Sequence, residues 1–588
     1  MSFKRKAKVQ ALLARASKFH EDGDHRKCLE IIGEALKLDP KSAKASLYYG
    51  WTLAHLAQPA EALKYLQAGI KGGAKDDKVW SAVAGCFSAL GDDATAVGMY
   101  RRHLVKNPHD HITMSEIATS YLSLSAPLLG QQMLRRSLAL APSFYGALNN
   151  LALVHKDFAD HEQVIRLLQR SLVLRGSSDG VAKNLISSFL FFGKVPLDRY
   201  DAAKRKWTGR FTPLGSGLFR HSPRDPDPAR RLKVGVLSSD FRNHPVGRNF
   251  LPVFARAESF DWHVYANTHT DDGVTTCYRG KGAKFLRVPD RTEEEIAYQI
   301  DRDRIDVMIY LAARMDDNRP QVSAFRAAPV QVSYLDVGSA NMPGIGYTIL
   351  APQMAPRGAG GEVIDERVVR VPRFYQHPEG PDIPVMPVPA LSGQPFTFGS
   401  FNNAAKVNEE VLKSWRRIMD ATPGSRILLK YKMHFQNAEM QRHVLRYLPE
   451  GRVIFGGVDS SANLHSGAFN MVDVCLDTFN FNGSTTTFDS LWMGVPVITV
   501  AGATIMGRYG VSIMRQVRLP QFAHPTLEAY EAHAIELARN PALLTPVRAG
   551  LRESVVKNIC IPKGYYFERA VRAMWRRWCL EQRNQMAS

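Results

Sequence analysis

Residues 472–500 read VDVCLDTFNFNGSTTTFDSLWMGVPVITV. A short apolar run, VDVCLDT, leads into a loop with one glycine and three consecutive threonines. A helix begins at TFDSLWMG, and a second apolar run, VPVITV, closes the segment. Strand, loop, helix and strand in that order make one crossover unit of a parallel sheet. Strands of such a sheet are covered on both faces and read as near-continuous apolar runs, as these two do. The uncharged span 490–507 approaches the roughly 20 residues of a membrane-crossing helix. Gly494, Pro496, Thr499 and Gly502 interrupt it, and a buried helix followed by a buried strand explains it better.

The same alternation extends outward from this segment. Apolar, β-branched runs occur at 233–239, 263–268, 305–311, 330–335 and 367–371. A proline-rich patch, DIPVMPVPALSGQP, occupies 382–395, and a second series follows at 396–401, 426–431, 452–457, 472–478 and 495–500. Helical stretches lie between them. In NEEVLKSWRRIMDATP, residues Val411, Leu412, Trp415, Ile418 and Met419 share one face. Two series imply two Rossmann-like lobes, 229–384 and 385–588, the second ending in a closing C-terminal helix. Ligands of such sheets bind beyond the carboxyl ends of the strands, here in the cleft between lobes.

The first third repeats. Pro40, Pro108 and Pro142 set a 34-residue frame with repeats starting at 9, 43, 77, 111 and 145. The eighth position is always small: Ala16, Gly50, Ala84, Ala118 and Ala152. The eleventh is mostly large: Phe19, Leu53, Phe87, Tyr121 and His155; the twentieth includes Ala62 and Ala96. A small residue on the first helix of each pair lets the second approach, and proline stops the second helix. Period and register resemble the tetratricopeptide repeat. The expectation is an α-solenoid of about five repeats over residues 1–178, with a concave surface for peptides. The basic N-terminus, MSFKRKAKVQALLARASKF, lacks a secretory h-region and reads as the first helix of the array. Residues 179–228 read as a capping helix and a Pro- and Gly-rich linker.

Composition sets limits. At 588 residues, 45% hydrophobic and 22% charged, the chain is an ordinary globular protein of several domains. The net charge of +20 permits an acidic partner. Because that charge is dispersed, neither nucleic acid nor membrane is expected as a partner. Six scattered cysteines without a CxxC pair suggest neither a zinc ribbon nor a disulfide framework, and reduced cytoplasmic thiols are expected. No dinucleotide fingerprint, P-loop or HExxH occurs. The acid pairs Asp225/Asp227 and Asp301/Asp303 read as solvated rather than as a metal–diphosphate site.

The threonine loop has phosphate-binding character. Free N–H groups and the positive dipole end at a helix N-terminus suit a pyrophosphate. Gly483 permits close approach of the backbone. The hydroxyls of Thr485, Thr486 and Thr487 add donors, and Asp489 suits a sugar hydroxyl. The plainer alternative is that Ser484 or one threonine only caps the helix.

Four motifs, in order, now define a resemblance: KVGVLSSDFRNHPVGRNF, RAAPVQVSYLDVGS, FGSFNNAAKVNEEVLKSW and the 472–500 segment. Together with the repeats ahead of them, they resemble the O-linked N-acetylglucosamine transferase and SPINDLY family, glycosyltransferase family 41. The resemblance implies a GT-B fold of two Rossmann-like lobes. It also implies an inverting, metal-independent enzyme without a cofactor, transferring sugar from a nucleotide-sugar to Ser or Thr of an acceptor protein recruited by the array. Lys406 matches a lysine at the diphosphate, Thr485 and Thr486 match threonines on the donor phosphates, and Asp489 matches an acid at the ribose. His465 matches a histidine against the base. His244 matches one on the acceptor side, the alternative being a histidine fixed by Asp240. No general base stands out. The repeats also offer a surface for self-association.

The chain departs from the family pattern on one side of the cleft. YLAARM, with Arg314, stands where a histidine-bearing segment is usual; LDVGSANM replaces LGYPGTTG; Ser484 stands where His or Gly is frequent. These changes point to altered sugar or acceptor specificity, with Arg314, Ser484 and Thr487 as candidates. Arginine is a fork for carboxylates. One expectation is therefore an acidic, nonulosonic donor and a flagellin acceptor, as in the bacterial flagellin branch. The alternatives are that Arg314 pairs with Asp316, Asp317 or Asp336, and that the whole chain is an inactive binding scaffold.

Overall fold

The computed structural model describes residues 3–587 except 22, 23, 57, 75, 77, 78, 125, 176, 177, 216–220, 281, 359, 360, 458–466, 562 and 563. The chain divides into two compact units, Met1–His155 with Arg166–Ser177, and Lys156–Ile165 with Ser178–Ser588.

The first unit is built from helix pairs. They are α1 (Phe3–Glu21) with α2 (His25–Leu38), α3 (Ala43–His55) with α4 (Pro59–Lys71), α5 (Val79–Ala89) with α6 (Asp93–Lys106), and α7 (His111–Ser123) with α8 (Pro127–Leu140); α9 (Tyr145–Asp157) and α10 (His161–Leu174) follow, each with residues in both units. Local chemistry starts these helices. Asp24, Ser42, Asp92 and Asp110 cap α2, α3, α6 and α7 through their side chains. Pro59 and Pro127 open α4 and α8, where a missing N–H costs nothing. The small eighth positions carry the packing: Ala16, Ala84, Ala118 and Ala152 are buried, as are Ala62 and Ala96 at the twentieth.

Gly50 shows why size matters. A Cβ there would lie 2.7 Å from the Leu66 backbone nitrogen and 2.8 Å from the Ala62 carbonyl oxygen. At Gly98, inside α6, a Cβ would meet nothing within 4 Å. Opposite effects are therefore expected. Gly50→Ala should destabilise the array by about 1–3 kcal/mol through overpacking, whereas Gly98→Ala should stabilise it by about 0.5–1 kcal/mol through helix propensity. Thermal melts followed by far-UV circular dichroism check both signs.

The second unit holds two wholly parallel sheets. The first contains β1 (Leu232–Ser238), β2 (Phe260–Ala266), β3 (Lys284–Arg287), β4 (Val307–Leu311), β5 (Val330–Tyr334), β6 (Tyr347–Leu350) and β7 (Arg367–Arg370), in the order β3-β2-β1-β4-β5-β6-β7. The second contains β8 (Thr397–Ser400), β9 (Arg426–Lys430), β10 (Val453–Gly456), β11 (Val474–Leu476), β12 (Val497–Val500) and β13 (Ala523–His524), in the order β10-β9-β8-β11-β12-β13. Val236 sits opposite Val264 on one side and Ile309 on the other, and all three are fully buried. In each sheet the winding direction reverses beside the first strand, between β1 and β4 and between β8 and β11. These switch points open crevices at the strand ends. The helix Glu409–Ala421 buries the apolar face read from the sequence, Val411, Leu412, Trp415, Ile418 and Met419.

Two segments tie this unit together. The helices Asp179–Ser188 and Leu197–Thr208 are more than a cap. Asn408 Nδ2 donates to the Phe191 carbonyl (2.9 Å), while Lys204, buried, pairs with Asp201 (2.8 Å) and donates to the Val363 carbonyl (3.1 Å). The C-terminal helix Gly564–Ala587 packs on the first sheet although it follows the second in sequence. Phe567 meets the rings of Trp262 and Tyr334, and Glu568 accepts from Ser259 N and Oγ.

The pair Asp301/Asp303 differs from its solvated expectation. Asp301 accepts from Ser222 and Arg224, and buried Asp303 accepts from Tyr265 Oη at 2.8 Å and pairs with Lys284. No described helix is long and apolar enough to cross a membrane. The apolar span that raised that question contains the end of the helix Thr485–Trp492 and all of β12.

Candidate active site

The switch point of the second sheet assembles most of the expected residues. Asp477 follows β11 and is buried. Its Oδ1 accepts from Gly483 N (2.8 Å) and Asn402 Nδ2 (3.2 Å), and its Oδ2 accepts from Thr499 Oγ1 (2.8 Å). Burial pushes this carboxyl up to about 6, against the pull of those hydrogen bonds and of Lys406. Asn402 follows β8 and accepts from Thr486 Oγ1 at 3.0 Å. Asn402 and Asp477 thus lock the turn around Gly483. A Cβ on Gly483 would lie 2.6 Å from Thr487 Oγ1, 2.8 Å from Thr486 Oγ1 and 2.9 Å from Asn402 Oδ1.

The helix Thr485–Trp492 starts at this turn. Its N-cap, Ser484, makes no side-chain cap hydrogen bond, and Thr486 spends its hydroxyl on Asn402. Ser484 therefore does not account for the hydroxyl cluster as a cap. The first-turn N–H groups have no intrahelical acceptor, a geometry suited to an anion. Thr485 and Thr486 are partly exposed at this end, and Thr487 is buried beneath Gly483.

Lys406 ends the short helical turn Ala404–Lys406 after β8. Its Nζ donates to the Asn482 carbonyl at 2.9 Å and lies 4.2 Å from the Phe481 ring centroid. Burial lowers its ammonium to about 8, with Asp477 opposing. Asn482 is itself fixed, donating to the Thr478 carbonyl and accepting from Gly510 N. Asp489, one turn into the helix, is pushed up to about 7 by burial, and Arg248 from the first lobe pulls it down.

Arg248 and Asn249 come from the helix Pro245–Arg256 of the first lobe, inside a motif already singled out, but neither was chosen from sequence. Tyr375 lies after β7, beside Thr485 and Asn249 and within electrostatic reach of Asp489 and Arg248. Tyr375 Oη, Asn249 Oδ1 and Arg248 Nε are buried polar atoms with no hydrogen-bond partner. Groups of that kind, next to such a helix end, are suited to a polar ligand. No local signal in YQHPEG picks out Tyr375.

At the first switch point His244 caps the helix Pro245–Arg256. Its Nδ1 is 3.4 Å from Asp240 Oδ1, and its Nε2 is 3.3 Å from Asp316 Oδ2. Asp240 is buried, which raises its carboxyl, and it also accepts from Asn318 and Ser239. His244 Nδ1 also accepts from Val246 N at 3.4 Å, and the opposite nitrogen faces the exposed Asp316. Ligand-type atoms of Asp240, His244 and Asp316 lie within 4.8 Å of one another.

Arg314 is turned inward. It is 2% exposed, its Nη2 donates to Tyr200 Oη at 3.2 Å, and its Nε lies 3.8 Å from Asp336. Of the three aspartates considered as internal partners, Asp336 is the one engaged. His465 lies outside the described residues.

Two doubly wound parallel sheets, each with polar groups gathered at its switch point, define the two-lobed GT-B class of glycosyltransferase. The chain belongs to glycosyl transferase family 41, whose family model matches residues 210–352 and 388–561. A tetratricopeptide-repeat model matches residues 4–120. The chain is 31% identical over 421 residues to the probable UDP-N-acetylglucosamine–peptide N-acetylglucosaminyltransferase SPINDLY of Solanum lycopersicum, covering 68% of this chain and 45% of that protein. It is 28% identical over 346 residues to the probable transferase SEC of Arabidopsis thaliana, covering 55% of this chain and 35% of that protein. The chain thus spans less than half the length of these relatives. Among solved structures it is similar to a lysine-to-methionine mutant of the Thermobaculum terrenum O-GlcNAc transferase. That likeness has 27% identity and a TM-score of 0.79, covering 87% of this chain and 98% of that one. Neither these relatives nor this structure supports the flagellin alternative.

Proposed function

We propose that this chain is a protein O-glycosyltransferase that moves N-acetylglucosamine from UDP-N-acetylglucosamine to Ser or Thr hydroxyls of an acceptor protein gathered by the repeats. The observation that carries the reading is the clamp at the second switch point. A lysine ammonium and an uncapped helix N-terminus flank one rigid turn, and the relatives' names supply the donor. In the reaction, the acceptor oxygen attacks the anomeric carbon and the bond from that carbon to the diphosphate oxygen breaks. The charge appearing on the leaving diphosphate is met by Lys406 and by the first-turn N–H groups with Thr485 and Thr486. Asp489 accepts from a ribose hydroxyl. His244, beside Asp240 on the acceptor side, receives the hydroxyl proton. This reading uses no metal. Because Arg314 has Asp336 as its carboxylate, a neutral donor sugar fits better than an acidic one.

The test is intact-mass analysis of candidate acceptors incubated with the full-length protein and UDP-, GDP- or CMP-sugars. Addition of one N-acetylhexosamine from the UDP donor is expected. Transfer from GDP- or CMP-sugars alone would overturn the donor assignment, and transfer from none would favour the scaffold alternative.

The two shifted groups set a pH profile. Donor capture by the free protein needs Lys406 protonated and Asp489 ionised. The profile of kcat/KM for the donor should therefore rise through about pH 7 and fall above about pH 8. Lys406→Arg keeps its charge throughout this range. Its residual activity should lack the basic limb, which a pH titration of initial rates reads directly.

A further inference from the structure

The transferase reading leaves one groove of the repeat array and its positive rim unused. Helices α6 and α8, the second helices of neighbouring pairs, flank a groove of about 440 Å³. Leu104 and Val105 of α6 and Leu129 and Met133 of α8 form its walls, and Ile117 and Tyr121 of α7 form its floor. Arg101 and Arg136 also line it, one from each wall. We propose that this groove docks an acidic amphipathic peptide segment of a partner protein, with its large apolar side chains on the floor and its carboxylates on the two arginines.

Helical spacing lays out the lining. Arg101, Leu104 and Val105 stand at i, i+3 and i+4 of α6, and Leu129, Met133 and Arg136 at i, i+4 and i+7 of α8. Each wall is therefore one stripe of one helix. The floor is closed, with Ile117 1% and Tyr121 6% exposed. The walls are open by contrast: Val105 is 83% exposed and Leu129 42%. A single exposed apolar residue is ordinary, but several around one concavity mark an interaction site. The groove's size falls in the range of about 300–1,000 Å³ typical of binding pockets. It suits the anchor side chains of an amphipathic helix laid between two others.

Charge selects the occupant. Between residues 93 and 140 the chain has three acids against four arginines and one lysine. Each acid is already engaged: Asp93 accepts from Ser88, Asp110 caps α7 and meets His103, and Glu116 accepts from Ser81. Arg101 donates through Nε (3.1 Å) and Nη2 (2.7 Å) to the Tyr121 hydroxyl, which fixes the guanidinium without offsetting its charge. Arg136 is exposed, and it has no carboxylate partner among the described residues. Two guanidinium forks beside an apolar floor match carboxylates that flank apolar side chains. A nucleic-acid backbone would need a row of cations where this groove has leucine, valine and methionine.

The probe is a fluorescein-labelled helical peptide of about 14 residues, with Phe and Leu at i, i+4 and i+7 and Glu beside them. Its binding to the full-length protein is followed by fluorescence anisotropy, in parallel with a Lys-for-Glu peptide and a Ser-for-Phe/Leu peptide. The Glu peptide should bind, and both altered peptides should bind at least about tenfold more weakly. Val105→Asp and Arg136→Glu should each weaken the Glu peptide by at least about tenfold. Arg135→Glu, exposed on the same helix but outside the groove lining, should leave it unchanged. Arg136→Glu should also improve binding of the Lys peptide, a reversal that loss of folding cannot produce. Added salt should weaken the Glu peptide. Sugar transfer enters none of these readouts, so they stand or fall apart from the donor assignment. The proposal is overturned if the Glu peptide does not bind, if Glu and Lys peptides bind wild type alike, or if Arg135→Glu weakens binding as much as Arg136→Glu. It is equally overturned if light scattering shows a dimer that Val105→Asp dissociates while the Glu peptide leaves the dimer intact, which would make a second copy of the chain the occupant.

Discussion

Lys406→Ala should lower kcat for sugar transfer by about 10²–10³-fold, the range seen when one preorganised donor is removed from a developing anion. Three features set this expectation. The ammonium is held at a fixed point by the Asn482 carbonyl, whose residue is anchored at both ends of its amide. Its partial burial makes the charge more effective than it would be in water. Asp477, the acid that offsets it, is occupied by three hydrogen bonds and stays in place when the lysine is removed. The effect should fall mainly on kcat, because charge on the leaving diphosphate grows as the bond breaks. Acceptor binding to the repeats should be unchanged. The measurement is steady-state kinetics with saturating acceptor, paired with acceptor affinity by fluorescence anisotropy. A variant that transfers sugar at the wild-type rate would remove Lys406 from the mechanism.

The degree to which sequence revealed this site follows from how local each feature is. The 34-residue period was legible because helix packing repeats the same requirement at Ala16, Gly50, Ala84, Ala118 and Ala152. The central strands were legible because burial on both faces forces unbroken apolar runs. β3, β6 and β13 escaped: KFLR and YTIL are four residues each and AH only two, too short or too mixed to show a period. The threonine turn could be read as an anion site because glycine, hydroxyls and a helix start adjoin in sequence. Its supports could not. Asn402 and Asp477 meet across 75 positions, and Tyr375 reaches the site from the segment between the sheets. Arg314 illustrates the limit best. A change of residue type pointed to the ligand side, but the direction of a side chain is decided by packing, and Tyr200 and Asp336 hold it inside the lobe. Likewise nothing in GYYFERAVRAMW announces that its helix belongs with the first sheet, because its partners Trp262 and Tyr334 lie more than 200 positions away.

Gly483→Ala should raise the dissociation constant for the nucleoside diphosphate by at least about tenfold, a difference of about 1.4 kcal/mol. The added methyl would stand within 3 Å of three oxygens, those of Thr487, Thr486 and Asn402. None can simply swing aside. Thr487 is buried and β-branched, with few rotamers available. Thr486 and Asn402 are bonded to each other, and Asn402 also donates to Asp477. Relief must come from moving the turn, which carries the helix N-terminus on one side and the Asn482 carbonyl that holds Lys406 on the other. Both halves of the clamp are thereby displaced together. The global cost should stay within the roughly 1–3 kcal/mol typical of overpacking, so the protein remains folded. Gly451→Ala is the matched control in the same lobe, since a Cβ there meets nothing within 4 Å. Calorimetric titration of UDP into both variants separates the cases. Weakened binding in Gly483→Ala with wild-type affinity in Gly451→Ala places the diphosphate at this turn, and equal affinities in both would move the donor site elsewhere.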